Sequence, residues 1–224
     1  AEQVLDDLFF HFIAAAERLR PKVVVAENVK GLLIGKARGY VKMILKRFRE
    51  AGYEVQLYLL DASSMSVPQR RERAFFVARR ADLGLPGLKL SFADPPITAR
   101  RALEGASTVG ARRLTAETEA LWARCRLGDN LGTVHERGSR FACYKLDPNR
   151  ASNTVTGSSI HELMHWAEPR YLSADEIRRL QTFPADYDFC GNEPHYVCGM
   201  SVPPFMMQRV ASKVRRQWLG ALDA

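Results

Sequence analysis

The chain has 224 residues, of which 46% are hydrophobic and 26% charged, enough for one large domain or for a domain with a smaller companion. No run approaches the ~18 consecutive apolar residues of a membrane span. No signal-peptide pattern opens the sequence, because Asp6 and Asp7 interrupt the first apolar stretch. The net charge of +8 suits a polyanionic partner without proving one. Four cysteines do not make a disulfide scaffold in a chain this long, so a reducing, cytoplasmic compartment is expected.

Hydrophobic periodicity predicts alternating helices and strands in the first third of the chain. Apolar residues three and four apart predict a helix that Pro21 ends. The continuous apolar run at residues 23–26 predicts a strand buried on both faces, which is typical of a parallel sheet. A second amphipathic helix with Gly52 as its C-terminal cap follows, and then two strands at residues 53–60 and 73–78. This order is typical of the later part of an α/β domain.

Proline and glycine residues interrupt the pattern after the third strand and predict a small, loop-rich, mostly-β module. Short strands are expected at residues 141–146 and 153–156. Helical signal then returns. Ser173 and Glu176 have the spacing of a capping box, and the last helix is expected to begin at Pro203-Pro204.

Two groups of residues raise the alternative of a zinc site. Residues 161–165 read His-Glu-Leu-Met-His, the H-E-x-x-H pattern of zinc proteases, which needs a helix of several turns. Pro169 follows closely, so a short turn with surface histidines is the simpler interpretation. Cys190, His195 and Cys198 have irregular spacing, and structural cysteines explain them as well. A metalloprotease would contain stoichiometric zinc.

Three other segments carry residues suited to ligand binding. Glu27-Asn28-Val29 follows the first strand, and a carboxylate at the carboxyl end of a strand faces the crevice where ligands bind in open sheets. An Asx turn beside a surface Glu is an equally good alternative. Arg71 and Arg73 share a face if their strand begins early, and two guanidiniums favour an anionic or carbonyl-rich ligand, although an exposed hairpin is the common alternative. Residues 199–204 form a turn that leads into a helix.

Taken in this order, the segments resemble motifs of the DNA (cytosine-5) methyltransferase family. Residues 27–29 resemble its E-N-V motif and residues 69–73 its Q-R-R-x-R motif. Residues 170–184 resemble R-x-L-T-x-x-E-x-x-R-L-Q-x-F-P, and Thr154-Val155-Thr156 is similar to the T-I-T element that precedes it. The resemblance runs from about residue 5 to 215. It is weakest between residues 85 and 150, where the family has its variable target-recognition segment.

The resemblance implies a chemistry and roles for individual residues. The family flips a cytosine out of double-stranded DNA, adds a cysteine thiolate to C6, and transfers a methyl group from S-adenosylmethionine to C5. Glu27 matches the glutamate that holds N3 and the exocyclic amine; donation to N3 needs a protonated carboxyl, so burial is expected to raise its pKa. Arg71 and Arg73 match the arginines around the base and the cysteine. Asn28 and Gln69 are expected to contribute to substrate binding.

The sequence departs from the family pattern in two ways. Neither the cofactor-binding F-x-G-x-G loop nor the catalytic Pro-Cys-Gln is present. Met200 stands where the family usually has Asn, so cofactor contacts are expected from Ser201, Val202 or the backbone. The polypeptide is therefore expected to be the C-terminal part of a methyltransferase, inactive without its N-terminal half or a partner subunit.

The expected fold is the later part of a Rossmann-like methyltransferase sheet with a small, irregular, mostly-β target-recognition module. Residues 1–84 are assigned to the catalytic domain, 85–195 to target recognition, and 196–224 to a helix that returns to the catalytic domain. Double-stranded DNA is the expected partner, with no membrane association, and restriction-modification is a setting that the family implies. A non-catalytic DNA-binding module and an RNA cytosine methyltransferase are the alternatives.

Overall fold

The computed structural model describes residues 5–34, 38–158 and 162–222, and the chain divides into two compact units. The first unit comprises Ala1–Leu60, Glu72–Ser91 and Ser212–Ala224, and the second comprises Asp61–Arg71 and Phe92–Ala211. These boundaries follow contacts within the chain. The assignment of residues 1–84, 85–195 and 196–224 to separate functions stays a prediction.

Helices and strands alternate in the first unit, and short elements predominate in the second. Their bounds are α1 Leu5–Leu19, β1 Val23–Val29, α2 Arg38–Glu50, β2 Tyr53–Asp61, β3 Glu72–Arg80, α3 Ala99–Leu103, α4 Ala116–Arg124, β4 Tyr144–Lys145, β5 Leu163–Met164, α5 Ala174–Leu180, α6 Pro194–Met200 and α7 Pro204–Gln217. The first five predicted elements are confirmed. The capping box of Ser173 and Glu176 at the start of α5 and the start of α7 beside Pro203-Pro204 are also confirmed.

The core of the first unit lies between its helices and its sheet. Phe9 and Ile13 of α1 and Ile44 and Phe48 of α2 are buried in one apolar cluster that also contains Phe76 of β3. Burying a large apolar side chain of this kind contributes about 1.5–3 kcal/mol, so the apolar stripes hold both helices against the sheet.

Helices α1 and α2 are each followed closely by a residue with left-handed backbone. Arg20 follows α1 with a φ of 48°, and the ring of Pro21 prevents further helix. Gly52 follows α2 with a φ of +83°, and its N–H donates to the carbonyl of Arg49, which confirms the predicted cap.

The sheet of the first unit has the order β1-β3-β2. β1 and β3 are antiparallel, with a register that runs from Val23 opposite Arg79 to Val29 opposite Arg73. The expectation that β1 belongs to a parallel pair is therefore wrong for the neighbour that the structure describes. The predicted burial of β1 on both faces is also wrong in this structure, because Val24 alone of the strand's residues is buried. A continuous apolar run carries no information about the direction of the neighbouring strand.

The second unit is irregular, as expected, but the prediction that it is mostly β is wrong in the described ranges. Its two strands, β4 and β5, have two residues each and pair in parallel, while its helices α3 to α6 contain five to nine residues. The predicted strand at 153–156 is not a strand. Side chains replace its ladder partners, because the Val155 N–H donates to Gln69 Oε1 and the Val155 carbonyl accepts from Arg71.

The segment that follows α7 is fixed within the first unit. Trp218 is fully buried, its indole N–H donates to the carbonyl of Pro86 at 2.8 Å, and the Arg79 guanidinium lies 5.4 Å from its ring centroid. Of the helices in the described ranges, none has the length and hydropathy that crossing a membrane would require.

Candidate active site

The strand pair β1–β3 brings Glu27 and Arg73 together. Arg73 is directly opposite Val29, and Glu27 is two residues from Val29, so Glu27 and Arg73 are diagonal neighbours on one face of the sheet. Their side chains are long enough to bridge this diagonal, and Arg73 Nε lies 2.8 Å from Glu27 Oε1. The predicted convergence of a carboxyl group with a guanidinium is confirmed for this pair.

The environment of this ion pair differs from the expectation for Glu27. The Glu27 side chain is 28% exposed, and its partner Arg73 is 14% exposed. The burial on which the predicted protonation of Glu27 rested is therefore incomplete in this structure. For Arg73, burial lowers the pKa of the guanidinium, and the charge and hydrogen bond of Glu27 act in the opposite direction.

A second ion pair flanks the first at the same end of the sheet. Lys30 Nζ donates to Glu72 Oε2 at 2.7 Å, and both side chains are more than two-fifths exposed. The Asn28 side-chain oxygen accepts a hydrogen bond from the N–H of the next residue, Val29, at 2.8 Å. An Asx turn needs a bond to the N–H two residues on, and Asn28 lies within β1, so this contact does not bear out the Asx-turn alternative. A role for Asn28 in substrate binding stays a prediction.

Gln69 and Arg71 belong to the second unit and are buried, so the alternative of an exposed charged hairpin is wrong. Arg71 precedes β3, so the premise that it shares a strand face with Arg73 is also wrong. Its guanidinium donates to the carbonyls of Val155 at 2.6 Å and of Gly199 and Ser201 at 2.8 Å. This arrangement makes Arg71 a residue that fixes three backbone positions.

Gln181, which was not among the predicted site residues, completes this hydrogen-bond network. Its side-chain oxygen accepts from Gln69 Nε2 at 2.6 Å, and its own Nε2 donates to the carbonyl of Ser201 at 2.9 Å. Gln181 and Gln69 are fully buried, so each polar group needs a partner within the protein. The sequence offered one signal for this role. Gln181 directly follows the apolar Leu180 in the R-L-Q element, and a polar side chain beside a buried apolar stripe needs a hydrogen-bond partner within the protein.

Ser201 and Val202, the residues predicted to contact the cofactor, present few free polar groups. The Ser201 hydroxyl donates to the carbonyl of Val197 at 2.6 Å, and the Ser201 carbonyl accepts from Arg71 and Gln181. Val202 has an apolar side chain. The side chains of Ser201 and Val202 therefore do not fit a cofactor site of their own, and their part in binding S-adenosylmethionine stays a prediction.

Gly199 allows two backbone segments of the second unit to approach each other closely. A Cβ atom at this position would overlap the backbone of Thr156 and the nitrogen of Gly157. We expect Gly199→Ala to destabilise the protein by about 1–3 kcal/mol because the backbone must shift. Urea unfolding measures the loss. Gly39→Ala is the matched control: Gly39 lies in α2 with open space around its Cβ position, so alanine should be neutral or stabilising. Equal stability of the Gly199→Ala variant and the parent would contradict the observed packing.

The four cysteines are all free thiols in the structure. Cys125, Cys143 and Cys198 are buried, and burial raises the pKa of each thiol, to about 12 for Cys198. Because the thiolate is the nucleophile, these three are poorly suited to attack a substrate at neutral pH.

Alkylation checks this distinction among the cysteines. At neutral pH the native protein should incorporate one equivalent of iodoacetamide, at the exposed Cys190, and four equivalents after unfolding. Peptide mass spectrometry locates the label. Rapid labelling of Cys198 in the native protein would contradict its burial.

The zinc-protease interpretation does not fit the structure. Leu163 and Met164 form β5, whereas the H-E-x-x-H motif places its two histidines on one helix. His161 lies outside the described residues. Within the ranges that the structure covers, no group of three or more His, Cys, Asp or Glu side chains could hold a metal ion, which includes Cys190, His195 and Cys198.

Comparisons with known proteins agree with the geometry of the site. The family model for C-5 cytosine-specific DNA methylases matches residues 2–104 and 123–216. The chain therefore belongs to the C-5 cytosine-specific DNA methylase family, whose members use S-adenosylmethionine as the methyl donor. The resemblance found in the sequence is confirmed.

Individual relatives extend this comparison. The chain is 39% identical over 240 residues to type II methyltransferase M.NgoPII from Neisseria gonorrhoeae, across 93% of this chain and 69% of that protein. It is 28% identical to M.NgoFVII from the same organism, covering 93% of this chain but 62% of the relative's length. The chain thus spans less than two thirds of several relatives that it matches.

A solved structure supports the fold. A prophage-encoded protein from E. coli, proposed to be a DNA modification methyltransferase, superposes with a TM-score of 0.76 at 19% identity. The match covers 95% of this chain and 74% of that one. At this level of identity, the likeness shows a shared fold and no more.

Proposed function

We propose that this chain is the C-terminal part of a DNA cytosine-5 methyltransferase and that it holds the flipped target cytosine. The observation that carries the proposal is the Glu27–Arg73 pair, in which a carboxylate and a guanidinium lie 2.8 Å apart on one face of the sheet. Together they present acceptors and donors within reach of one pyrimidine edge. Because the chain belongs to the C-5 cytosine-specific DNA methylase family, cytosine is the proposed pyrimidine.

Each member of the pair suits a different part of cytosine. A carboxylate oxygen of Glu27 accepts from the exocyclic amine, and the carboxyl, once protonated, donates to N3. The Arg73 guanidinium donates to the O2 carbonyl, which makes C6 more electrophilic as negative charge develops on the ring. S-adenosylmethionine, when bound, supplies the methyl group.

In this account, the proton on Glu27 is acquired when the base binds. The structure has Glu27 partly exposed and paired with Arg73, an arrangement that favours its charged form. A cytosine stacked into the site would exclude water from the carboxyl and draw the Arg73 guanidinium toward O2. Both changes favour protonation of Glu27 next to N3.

The nucleophile must come from outside these 224 residues. None of the four cysteines lies in a Pro-Cys-Gln context, and three are buried as neutral thiols. We propose that a polypeptide carrying the Pro-Cys-Gln and F-x-G-x-G motifs, either an N-terminal half or a partner subunit, completes the enzyme.

The open edge of β1 is the proposed contact for that polypeptide. β1 lies at one end of the described sheet, with β3 as its neighbour on the other side. Val29 of β1 and Leu8 and Leu19 of α1 are more than half exposed, which leaves apolar surface close to this strand for a partner to cover. Double-stranded DNA is the proposed substrate, and a reducing, cytoplasmic compartment is consistent with the free thiols.

A complementation assay tests this function. The 224-residue chain is incubated with duplex DNA and methyl-labelled S-adenosylmethionine, with and without the polypeptide that carries Pro-Cys-Gln. We expect methyl transfer in the mixture and none with either polypeptide by itself. Methyl transfer by the 224 residues without the partner would contradict the proposed division of the active site.

A non-catalytic DNA-binding module is the second candidate, favoured by the net charge of +8. Such a module should bind duplex DNA without a partner and with a strong dependence on salt. Electrophoretic mobility shifts of the single chain at two salt concentrations distinguish it from the methyltransferase, which should bind tightly after assembly. Competition between duplex DNA and RNA separates the RNA methyltransferase alternative.

A further inference from the structure

A cleft of about 480 Å³ lies within the second unit, and its lining residues take no part in the proposed active site. Its walls come from α3 and the residues on either side of it, from the segment that follows β5, and from α5. The volume falls within the range of pockets that bind small molecules.

One wall of the cleft is a pair of stacked rings. The His165 and Trp166 rings lie 4.0 Å apart between centroids, with an interplanar angle of 29°. His165 Nδ1 accepts hydrogen bonds from the N–H groups of Ala167 at 3.2 Å and Glu168 at 3.1 Å, which fixes the orientation of the imidazole. Because Nδ1 accepts, Nε2 carries the proton of a neutral ring. His165 is buried against Trp166, so the half-buried Trp166 ring gives the pair a flat surface of the kind on which aromatic bases stack.

Helix α3 contributes positive charge to the cleft. Arg100 and Arg101 both line the cleft, and the Arg100 guanidinium lies 5.9 Å from the Trp166 ring centroid. In the described part of the chain, no ion pair joins either arginine to a carboxylate. These two guanidiniums therefore remain available for an anionic group next to the aromatic surface.

Two of the carboxylates that line the cleft, those of Glu168 and Glu176, already accept hydrogen bonds from Arg170. Arg170 donates to both carboxylate oxygens of the buried Glu176, at 2.7 and 3.0 Å, and its Nε donates to Glu168. This bidentate contact holds the wall in place and neutralises Glu176. Glu104, on the rim, is the remaining acidic residue, and its carboxylate can accept from a base that carries an exocyclic amine.

We propose that this cleft binds a nucleotide, with the base against the Trp166–His165 surface and the phosphate on Arg100 and Arg101. A simple anion would use the arginines but not the rings, and an uncharged aromatic ligand would use the rings but not the arginines. A nucleotide uses both. The proposal goes beyond the methyltransferase function and does not depend on it, because no residue is shared with the Glu27–Arg73 pair.

Titration of the complete chain with three probes tests the requirement for both groups. Isothermal calorimetry compares a deoxynucleoside 5′-monophosphate, the same deoxynucleoside without phosphate, and inorganic phosphate. We expect the nucleotide to bind about tenfold or more tightly than either part. The proposal is overturned if the nucleotide does not bind, or if inorganic phosphate binds as tightly as the nucleotide.

Variants then locate the binding. Trp166→Ala and the double variant Arg100→Gln/Arg101→Gln should each weaken nucleotide binding about tenfold or more. Arg49→Gln, on the exposed side of α2 in the first unit, removes one positive charge elsewhere and should leave binding unchanged. Because Arg100 and Arg101 are exposed, the double variant remains informative even if Trp166→Ala unfolds. Binding that survives the loss of both arginines, or that falls equally in Arg49→Gln, would overturn the assignment.

The bound nucleotide could be a free mononucleotide or one nucleotide of a single-stranded nucleic acid. Competition between the monophosphate and a short 5′-phosphorylated single-stranded oligonucleotide distinguishes them, because the natural source should bind more tightly. Binding of the tighter competitor must still depend on Arg100 and Arg101. If it does not, the cleft is not the nucleotide site.

Discussion

Replacing Glu27 with Gln is expected to lower the turnover of the assembled methyltransferase by about 10²–10³-fold, the effect of losing one preorganised electrostatic contact in an active site. Glutamine has nearly the same shape as glutamate and still forms hydrogen bonds. It cannot donate a carboxyl proton to N3, and it no longer balances the charge of Arg73, 2.8 Å away. The measurement is the single-turnover rate of methyl transfer at saturating DNA.

Glu17→Gln is the matched control for this variant. Glu17 on α1 is also a carboxylate paired with an arginine, Arg47, and it has no part in the proposed site. Its loss should leave turnover within about twofold, because exposed ion pairs contribute little to stability. Unchanged turnover of the Glu27→Gln enzyme would remove Glu27 from the mechanism.

Arg71→Met is expected to destabilise the protein by about 3 kcal/mol, because the carbonyls of Val155 and Gly199 lose this donor and the carbonyl of Ser201 keeps only Gln181. These carbonyls lie in two segments of the second unit, one at Val155 and the other at the end of α6, where Gly199 and Ser201 are two residues apart. Methionine fills much of the volume but has no donor, so the loss reports hydrogen bonding more than packing. Equilibrium unfolding in urea measures the change in the free energy of unfolding.

The neighbouring arginine supplies the control. Arg70 is exposed, and its backbone, not its side chain, makes the recorded hydrogen bonds to Ser152 and Thr154. Arg70→Met should therefore change the free energy of unfolding by no more than about 0.5 kcal/mol. Equal destabilisation by both substitutions would show that the Arg71 network does not hold the second unit together.

The sequence predicted the helices and strands of the first unit because their apolar residues repeat with the period of each element. Phe9 and Ile13, or Ile44 and Phe48, occur at the four-residue spacing of one helical face, and all four are buried. The direction of the strand next to β1 was not predictable in this way. It depends on which strand pairs with β1 in space, and the burial of its side chains is the same for either direction.

The second unit was harder to predict because its backbone is held by side chains. Val155 looked like part of a strand, yet Gln69 and Arg71 satisfy its N–H and carbonyl from more than 80 positions away in sequence. No local pattern encodes such a contact. For the same reason, Arg71 and Arg73 looked equivalent in the sequence. The structure shows one bound to three carbonyls and the other paired with Glu27.

The candidate site was predictable in part. The resemblance implied that Glu27 and Arg73 both lie beside the bound base, and the register of β1 against β3 brings the two side chains together. Gln181 was missed because its importance depends on contacts with Gln69 and Ser201, which become neighbours through folding. Residues that contact a ligand can be predicted from the sequence because their side-chain chemistry suits the ligand. Residues that position the backbone become evident only when the structure shows their hydrogen-bond partners.

The identity of the methylated nucleoside tests the central claim most directly. DNA treated with the assembled enzyme and labelled S-adenosylmethionine is digested to nucleosides, which are separated by chromatography and identified by mass spectrometry. If Glu27 and Arg73 grip a cytosine as proposed, the label will appear as 5-methylcytosine and will depend on both side chains. Label on an exocyclic nitrogen of cytosine or adenine, or 5-methylcytosine formed at the full rate without Glu27 and Arg73, would contradict the account.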